Sequence, residues 1–454
     1  MRALAIAPQP FFTCRGTPLS VYYRTLVTAE LGVQVDLLTY GEGEDVDIPG
    51  VNIIRIPRFK FLGPVKIGPS GLKLFLDIFM FFWTIALLCR RRYQFVHAHE
   101  EAVFFCWLIK PLFRFRLVYD MHSSLPEQLS NFKFTTSKWL IGLFAWLERR
   151  CLQAAEVTIT ICPSLDNYAQ RLANPKSLVM LIENSIFEGV RLTRPSVGSL
   201  SAPTLSAPIG DRSSQPSRHR DRWAGKRLVV YAGTLEAYQG IDLLIRGFRQ
   251  AMDRDRDLFL LIVGGTPAQV SDYSELAKQC GVGDRAHFTG RVSPAVAKQY
   301  VSLAAVQVSP RISGTNTPLK IYEQISRNIP LVATDIYSHT QVLNDDVAFL
   351  VAPTPKGLSE GLLAATQYPN MQARKKTRNA QKLYEQRYSR QIYADKMRVV
   401  LTRLGVFPRQ ANAVKRDLDR GYLVGATGFT VNLDSDQSVC HSGASARIQT
   451  NLED

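Results

Sequence analysis

The sequence predicts an α/β protein made of two doubly wound parallel-sheet domains. Short apolar runs alternate with stretches of helical spacing up to residue 187, and the alternation resumes at residue 227. A Ser-, Pro-, Arg- and Gly-rich segment without apolar periodicity separates the two series. Polar residues and glycines gather just after the strand-like runs, where open parallel sheets bind their ligands.

The elements follow in order. Ala3–Ala7 reads as the first strand, and Pro18–Leu31 has helical spacing. Val33–Thr39 is the next strand, and the acidic glycine turn Gly41–Gly50 leads to another at Val51–Ile56. An apolar helix at Leu72–Cys89, a strand at Phe95–His99, a helix at Glu101–Phe113 and a strand at Arg116–Tyr119 come next. A helix at Thr136–Ala154 and the strand Val157–Ile161 complete the first series, whose domain spans residues 1–187. Residues 188–226 are a linker or a disordered insert. The second series opens with the strand Leu228–Tyr231. It continues through strands at Leu258–Val263, Ala286–Thr289, Ala305–Val308, Pro330–Ala333 and Phe349–Val351, with helices between them, as a domain over 227–384. A charged helical stretch runs from Met371 to about Leu404. Its end, 385–404, is expected to pack back toward the first domain, and 405–454 reads as a disordered tail.

Composition narrows the partners. The net charge of +16 favours acidic ones: nucleotides, nucleic acid or anionic lipid. No nucleic-acid recognition motif accompanies it, and the charge is spread along the chain, so a nucleic-acid partner is not expected. Seven scattered cysteines without a CxxC pair suit reduced thiols in a cytoplasmic protein. The stretch from Leu72 to Cys89, followed by Arg90-Arg91-Arg92, has the look of a membrane span. Lys73 and Asp77 shorten its uncharged run below the roughly 20 residues a bilayer core requires. A buried or interfacial helix is therefore expected. Residues 51–150 carry 15 Lys/Arg against 6 Asp/Glu, together with many aromatics. That combination fits either an anionic membrane surface or a buried core with a basic rim.

The candidate chemistry sits at the strand ends. Ser313-Gly-Thr-Asn-Thr-Pro-Leu-Lys-Ile-Tyr-Glu323 reads as a turn running into a helix. Free amides around Thr315, Asn316, Thr317 and Leu319, with Lys320, suit a phosphate, and the Glu323 carboxylate suits a diol. Phosphate plus diol is the outline of a nucleotide sugar. Gly233-Thr234, Gly264, Arg291 and Arg311 stand at four other strand ends, and Gly16 follows the first strand of the chain. His122, beside Asp120, is placed to donate a hydrogen bond or move a proton. His97 and His99 share a strand face, and without a further Cys/His cluster a structural role is expected, so no metal site is assigned. Asp45-Val46-Asp47 has a metal-binding spacing but reads as a solvated turn.

Taken together, Tyr231–Gly240, Pro310–Asp335, Val96-His-Ala-His99, Tyr119-Asp-Met-His122 and Ile182-Glu-Asn184 resemble the retaining GT-B glycosyltransferases of the GT4 type. The resemblance implies two Rossmann-like domains with the active site in the cleft between them. The second domain would bind a nucleoside diphosphate sugar, and the first would contact a saccharide or lipid-linked acceptor. It implies that Glu323 touches the ribose and His122 the donor sugar, with no cofactor required. Three positions depart from the family pattern: Thr315 replaces its first Glu, Gln239 stands near its Lys, and Thr234 near its Arg. Lys320, Arg291 and Arg311 are then the candidates to neutralise the diphosphate. Two alternatives stay open, a non-catalytic scaffold in a glycan assembly complex and a nucleotide-sugar epimerase.

Overall fold

A computed structural model describes residues 1–13, 16–58, 63, 65, 70–124, 138–184, 223–367 and 370–408. Most of the expected linker, the tail beyond Pro408 and Arg15 lie outside the described residues. The described part falls within one compact unit.

The first sheet has seven parallel strands in the order β3-β2-β1-β4-β5-β6-β7. They are β1 (Arg2–Ala7), β2 (Gln34–Thr39), β3 (Val51–Arg55), β4 (Phe95–His99), β5 (Arg116–Met121), β6 (Val157–Thr160) and β7 (Leu178–Leu181). The connecting helices are α1 (Gly16–Glu30), α2 (Gly71–Arg90), α3 (Ala102–Phe113), α4 (Lys138–Ala154) and α5 (Pro163–Leu172). The β1–β2 and β1–β4 registers, with Ala3 opposite Val35 and Phe95 and Ile6 opposite Leu38 and Ala98, put apolar residues on both faces. Parallel strands covered on both sides read as continuous apolar runs, which is why they were legible. One face packs on α1, through Tyr22, Leu26 and Val27, and the other on α2, α3 and α4.

The second sheet has six parallel strands in the order β10-β9-β8-β11-β12-β13. They are β8 (Arg227–Ala232), β9 (Leu258–Val263), β10 (Ala286–Phe288), β11 (Val306–Ser309), β12 (Leu331–Thr334) and β13 (Phe349–Val351). Helices α6 (Ile241–Arg254), α7 (Pro267–Gln279), α8 (Pro294–Ser302), α9 (Leu319–Ile325), α10 (Tyr337–Thr340) and α11 (Pro355–Thr366) connect them. Two parallel-sheet, Rossmann-like halves thus make an α/β chain, as the alternation predicts.

Helix α5 and strand β7 are absent from the sequence reading. The helical stretch expected from Met371 to Leu404 is two helices, α12 (Met371–Arg387) and α13 (Arg390–Arg403). They separate where the Ser389 side chain accepts from the Ile392 amide and starts a new helix. Tyr393, Met397, Val400 and Leu401 of α13 are buried in the first sheet's core beside α1. Among the described residues α2 alone is long and apolar enough to cross a membrane, by length and composition. Its N-cap is Ser70, whose side chain accepts from the Lys73 amide.

Candidate active site

In each sheet the strand order reverses once, between β1 and β4 and between β8 and β11. A crevice opens outside the carboxyl ends at such a reversal, and ligands of open α/β sheets bind there. Gly16 opens α1 after β1, and His99 ends β4. In the second sheet Gly233-Thr234 follows β8, while Arg311 and the loop into α9 follow β11. Gly16, Gly233, Thr234, Arg311 and the loop into α9 therefore gather at two reversal points.

The loop 313–319 meets the first sheet directly. Asn316 Nδ2 donates to the His122 carbonyl at 3.3 Å, and Cys162 Sγ donates to Asn316 Oδ1 at 3.5 Å. Gln341 Nε2 donates to the Thr315 carbonyl at 2.5 Å, and Gln341 Oε1 accepts from the Ser164 amide at 3.3 Å. A Cβ placed at Gly16 would lie 3.6 Å from Leu319 Cδ1. Gly16, His122, Asn316 and Leu319, far apart in sequence, thus line one boundary.

Lys320 sits behind this loop. Its Nζ donates to Gln239 Oε1 at 3.0 Å and lies 4.3 Å from the centroid of the Tyr231 ring. Burial and the nearby Arg311 guanidinium push its ammonium down to about 7. Neither contact supplies a negative charge. The side chain is held next to neutral acceptors, so an anion entering here would restore its proton. Gln239, which stands where the resemblance puts a lysine, serves as the acceptor that positions Lys320.

The other candidates divide. Arg311 Nε donates to the Ser313 carbonyl at 2.5 Å, Nη1 donates to the Asn316 carbonyl at 3.3 Å, and the guanidinium stacks 5.2 Å from the Tyr238 centroid. It therefore shapes the loop as well as supplying charge. Arg291 is exposed beyond β10, an edge strand separated from β11 by β9 and β8, so the structure does not bring it to Lys320. Thr317 is half-buried ahead of Pro318, which leads into α9. The Glu323 carboxylate accepts from Arg327 Nη2 at 2.6 Å, a partner the sequence reading did not include. Thr234 is exposed, and its carbonyl accepts from the Tyr231 hydroxyl at 2.6 Å. Gly264 has a packing reason of its own. At φ +120° its Cβ would stand 2.1 Å from the Gly233 carbonyl, and its amide donates to the Gly290 carbonyl at 3.0 Å. The close approach of three strand ends requires a glycine there.

Behind His122 lies a buried charge network that sequence reasoning missed. Arg24 of α1 is fully buried. Its Nε donates to Asp120 Oδ2 at 2.9 Å, Nη1 to the Tyr393 hydroxyl at 2.9 Å and Nη2 to the Ile182 carbonyl at 3.0 Å. His97 Nε2 lies 3.0 Å from the same Asp120 oxygen, and His122 Nε2 lies 3.4 Å from Oδ1. Burial opposes ionisation of Asp120, yet Arg24, His122 and His99 together hold its carboxyl well below the usual range. Burial pushes His122 down to about 4 against the pull of Asp120, so its imidazole is neutral at pH 7. A neutral ring at this position donates one hydrogen bond and carries no charge. His97, His99 and Asp120 are close enough to share a cation. The Arg24 guanidinium on the same carboxylate oxygen occupies that charge and repels a metal, which fits a structural cluster. Lys396 of α13 pairs with Glu183 at 2.7 Å, so two buried contacts tie α13 to this region.

Residues 24–185 match the family Glycosyl transferase 4-like domain, and residues 215–383 match Glycosyl transferases group 1. The chain belongs to the GT4-type glycosyltransferases. It is 23% identical over 319 residues to the alpha-D-kanosaminyltransferase of Streptomyces kanamyceticus, covering 68% of this chain and 78% of that protein. The sucrose-phosphate synthase tll1590 of Thermosynechococcus elongatus superposes with a TM-score of 0.65 at 18% identity, over 89% of this chain and 99% of the other. Anabaena Alr3699/HepE in complex with UDP does so with a TM-score of 0.63 at 14% identity, over 88% and 100%. These solved structures are like the chain in fold, and the glycosyltransferase assignment rests on the family matches.

Proposed function

We propose that this glycosyltransferase moves a sugar from a nucleoside diphosphate sugar to a saccharide or lipid-linked acceptor, with retention of configuration. The observation that carries the reading is Lys320. It is a half-buried lysine with no carboxylate partner among the described residues, set at the reversal point of the second sheet behind the 313–319 loop, whose Asn316 donates to the His122 carbonyl. A diphosphate is the group that such a cation lacks. Anabaena HepE, a chain of the same fold, is solved in complex with UDP, which supports a nucleotide-bearing donor.

In this reading the bond between the sugar C1 and the diphosphate oxygen breaks. A bond from C1 to the acceptor oxygen forms on the same face, and the acceptor proton passes to a diphosphate oxygen. Lys320 and Arg311 stabilise the charge that develops on the leaving diphosphate, a preorganised term of the kind that dominates such catalysis. No resident metal is required when these cations act. His122, neutral, donates to the donor sugar, and Glu323 accepts from the ribose diol alongside Arg327. The enzyme works in the cytoplasm, which the buried thiols of Cys106, Cys151 and Cys162 suit.

A thermal-shift panel of UDP, GDP and ADP sugars tests the donor. One of them raises the melting temperature, and Lys320→Ala removes both that shift and turnover while the fold persists. Wild-type turnover in Lys320→Ala refutes the role. A full panel without a shift favours the scaffold reading, for which the departure at Thr315 is the supporting feature.

A further inference from the structure

Helices α2, α3 and α4 lie side by side over one face of the first sheet, with Phe81 and Phe105, Phe104 and Phe144, and Trp107 and Trp146 each 6.2 Å apart between ring centroids. Their inner faces are buried: Leu76, Met80, Thr84 and Leu87 of α2 pack toward the sheet. Their outer faces are exposed among the described residues. Leu74, Ile78 and Phe82 are exposed along α2 at four-residue spacing, Leu112 is 77% exposed on α3, and Trp139 is 75% exposed on α4. A core helix would not leave such a stripe in water, and the combined face is larger than the scattered exposed residues of ordinary surfaces.

We propose that this three-helix face docks on an anionic lipid bilayer, lying in the interface without spanning it. Charge selects the occupant. Every exposed residue whose side chain is described on the three helices is apolar, Gly, Pro, Cys or Arg, and none is a carboxylate. The acidic groups present are turned inward. Asp77 accepts from the Tyr40 hydroxyl at 2.6 Å, and Glu148 accepts from Ser124 at 3.0 Å and Tyr168 at 2.7 Å. Lys73 likewise turns in, 2.6 Å from Glu101. The two charges that break the apolar run of α2 in the sequence are therefore removed from its outer face. Exposed arginines flank the apolar field: Arg90 at the end of α2 and Arg92 past it, Arg114 past α3, and Arg149 and Arg150 at the end of the α4 stripe. A cavity of about 330 Å³ opens between Trp107 and Trp146 beside Arg150, whose guanidinium lies 5.4 Å from the Trp146 centroid. Tryptophan and arginine at the margin of an apolar face suit the headgroup level of a membrane.

The inner contacts decide between lying and spanning. At 20 residues α2 is about 30 Å long, enough to cross. Crossing would pull Met80 and Leu87 off the sheet and carry the Lys73–Glu101 and Asp77–Tyr40 pairs into hydrocarbon. This surface lies outside the donor site, so the proposal stands or falls separately from the donor reading.

The test is flotation of the full chain with liposomes of phosphatidylcholine alone or with phosphatidylglycerol added, at low and high salt. The protein is expected to float with the anionic vesicles at low salt, with blue-shifted tryptophan emission. Ile78→Ser/Phe82→Ser should lower vesicle binding about tenfold or more, because two large apolar side chains no longer enter the interface. Arg149→Glu/Arg150→Glu should lose the preference for anionic over neutral vesicles. Both variants alter exposed positions, and unchanged circular dichroism and nucleotide-sugar thermal shift report an intact fold. Failure of the wild type to float on either vesicle overturns the proposal. So does equal flotation of the apolar-stripe variant. Concentration-dependent dimers abolished by the same variant, without vesicle binding, would make the face a contact between two copies instead.

Discussion

Lys320 links the donor site to pH in a way that can be measured. Its ammonium is pushed down to about 7 in the donor-free protein by burial and by Arg311. In the unfolded chain a lysine titrates at the ordinary 10.5. A diphosphate beside it favours the charged form and returns the pKa toward that value, so donor binding takes up a proton above pH 7. With a free-state value of about 7, the dissociation constant scales as roughly 1 + 10^(pH − 7), which weakens binding about hundredfold between pH 6 and pH 9. A nucleotide sugar has no titrating phosphate in that window, so the slope belongs to the protein. Isothermal titration calorimetry with the stabilising nucleotide sugar measures the dissociation constant across this range. Repeating it in two buffers of different ionisation enthalpy counts the protons directly. Lys320→Met should bind weakly and without the slope. Stability follows the same linkage. The folded-state value lies below the unfolded one, so the donor-free protein is penalised in full below pH 7. That penalty disappears as pH rises toward 10.5, and Lys320→Met removes the trend. A dissociation constant that stays flat from pH 6 to 9 refutes the placement of Lys320 beside the diphosphate, as does an equal slope in Lys320→Met.

Two further outcomes follow from the packing. Asp120→Asn leaves the fully buried Arg24 guanidinium without its carboxylate and should cost about 3–5 kcal/mol, read from denaturant unfolding. Because Asp120 is held below the usual carboxylate value, its contribution is present above the unfolded pKa and lost as pH falls through the folded one, so Asp120→Asn should also flatten the acid limb of stability. Gly264→Ala meets the Gly233 carbonyl at φ +120° and should destabilise by about 2 kcal/mol or more; a melting temperature equal to wild type would contradict the close approach of the strand ends.

What the sequence discloses and what it hides follow from how far apart the interacting residues lie. Parallel strands buried on both faces announce themselves as apolar runs, and the glycine, threonine and lysine positions at their ends mark the crevice. Strand β7, Leu178-Val-Met-Leu181, is apolar throughout but only four residues long and lies just before the segment without periodicity; the α12–α13 break contains neither Gly nor Pro and depends on the cap at Ser389. Arg24 could not be read at all. It sits in a run of helical spacing as any surface arginine would, and its partners are 96 residues away at Asp120 and 369 away at Tyr393. The same separation explains Lys320, whose pKa is depressed by burial and by Arg311 from one strand end while its Nζ meets Tyr231 and Gln239 from another. Helix α2 shows the converse. Its sequence argued against a long apolar surface because Lys73 and Asp77 interrupt the run, whereas the fold turns both inward onto Glu101 and Tyr40. A charge within an apolar segment shortens its hydrophobic face only if the fold leaves that charge pointing outward. Here the partners that turn it inward, Tyr40 and Glu101, come from just past the ends of β2 and β4, and those strand ends decide which side of α2 meets its surroundings.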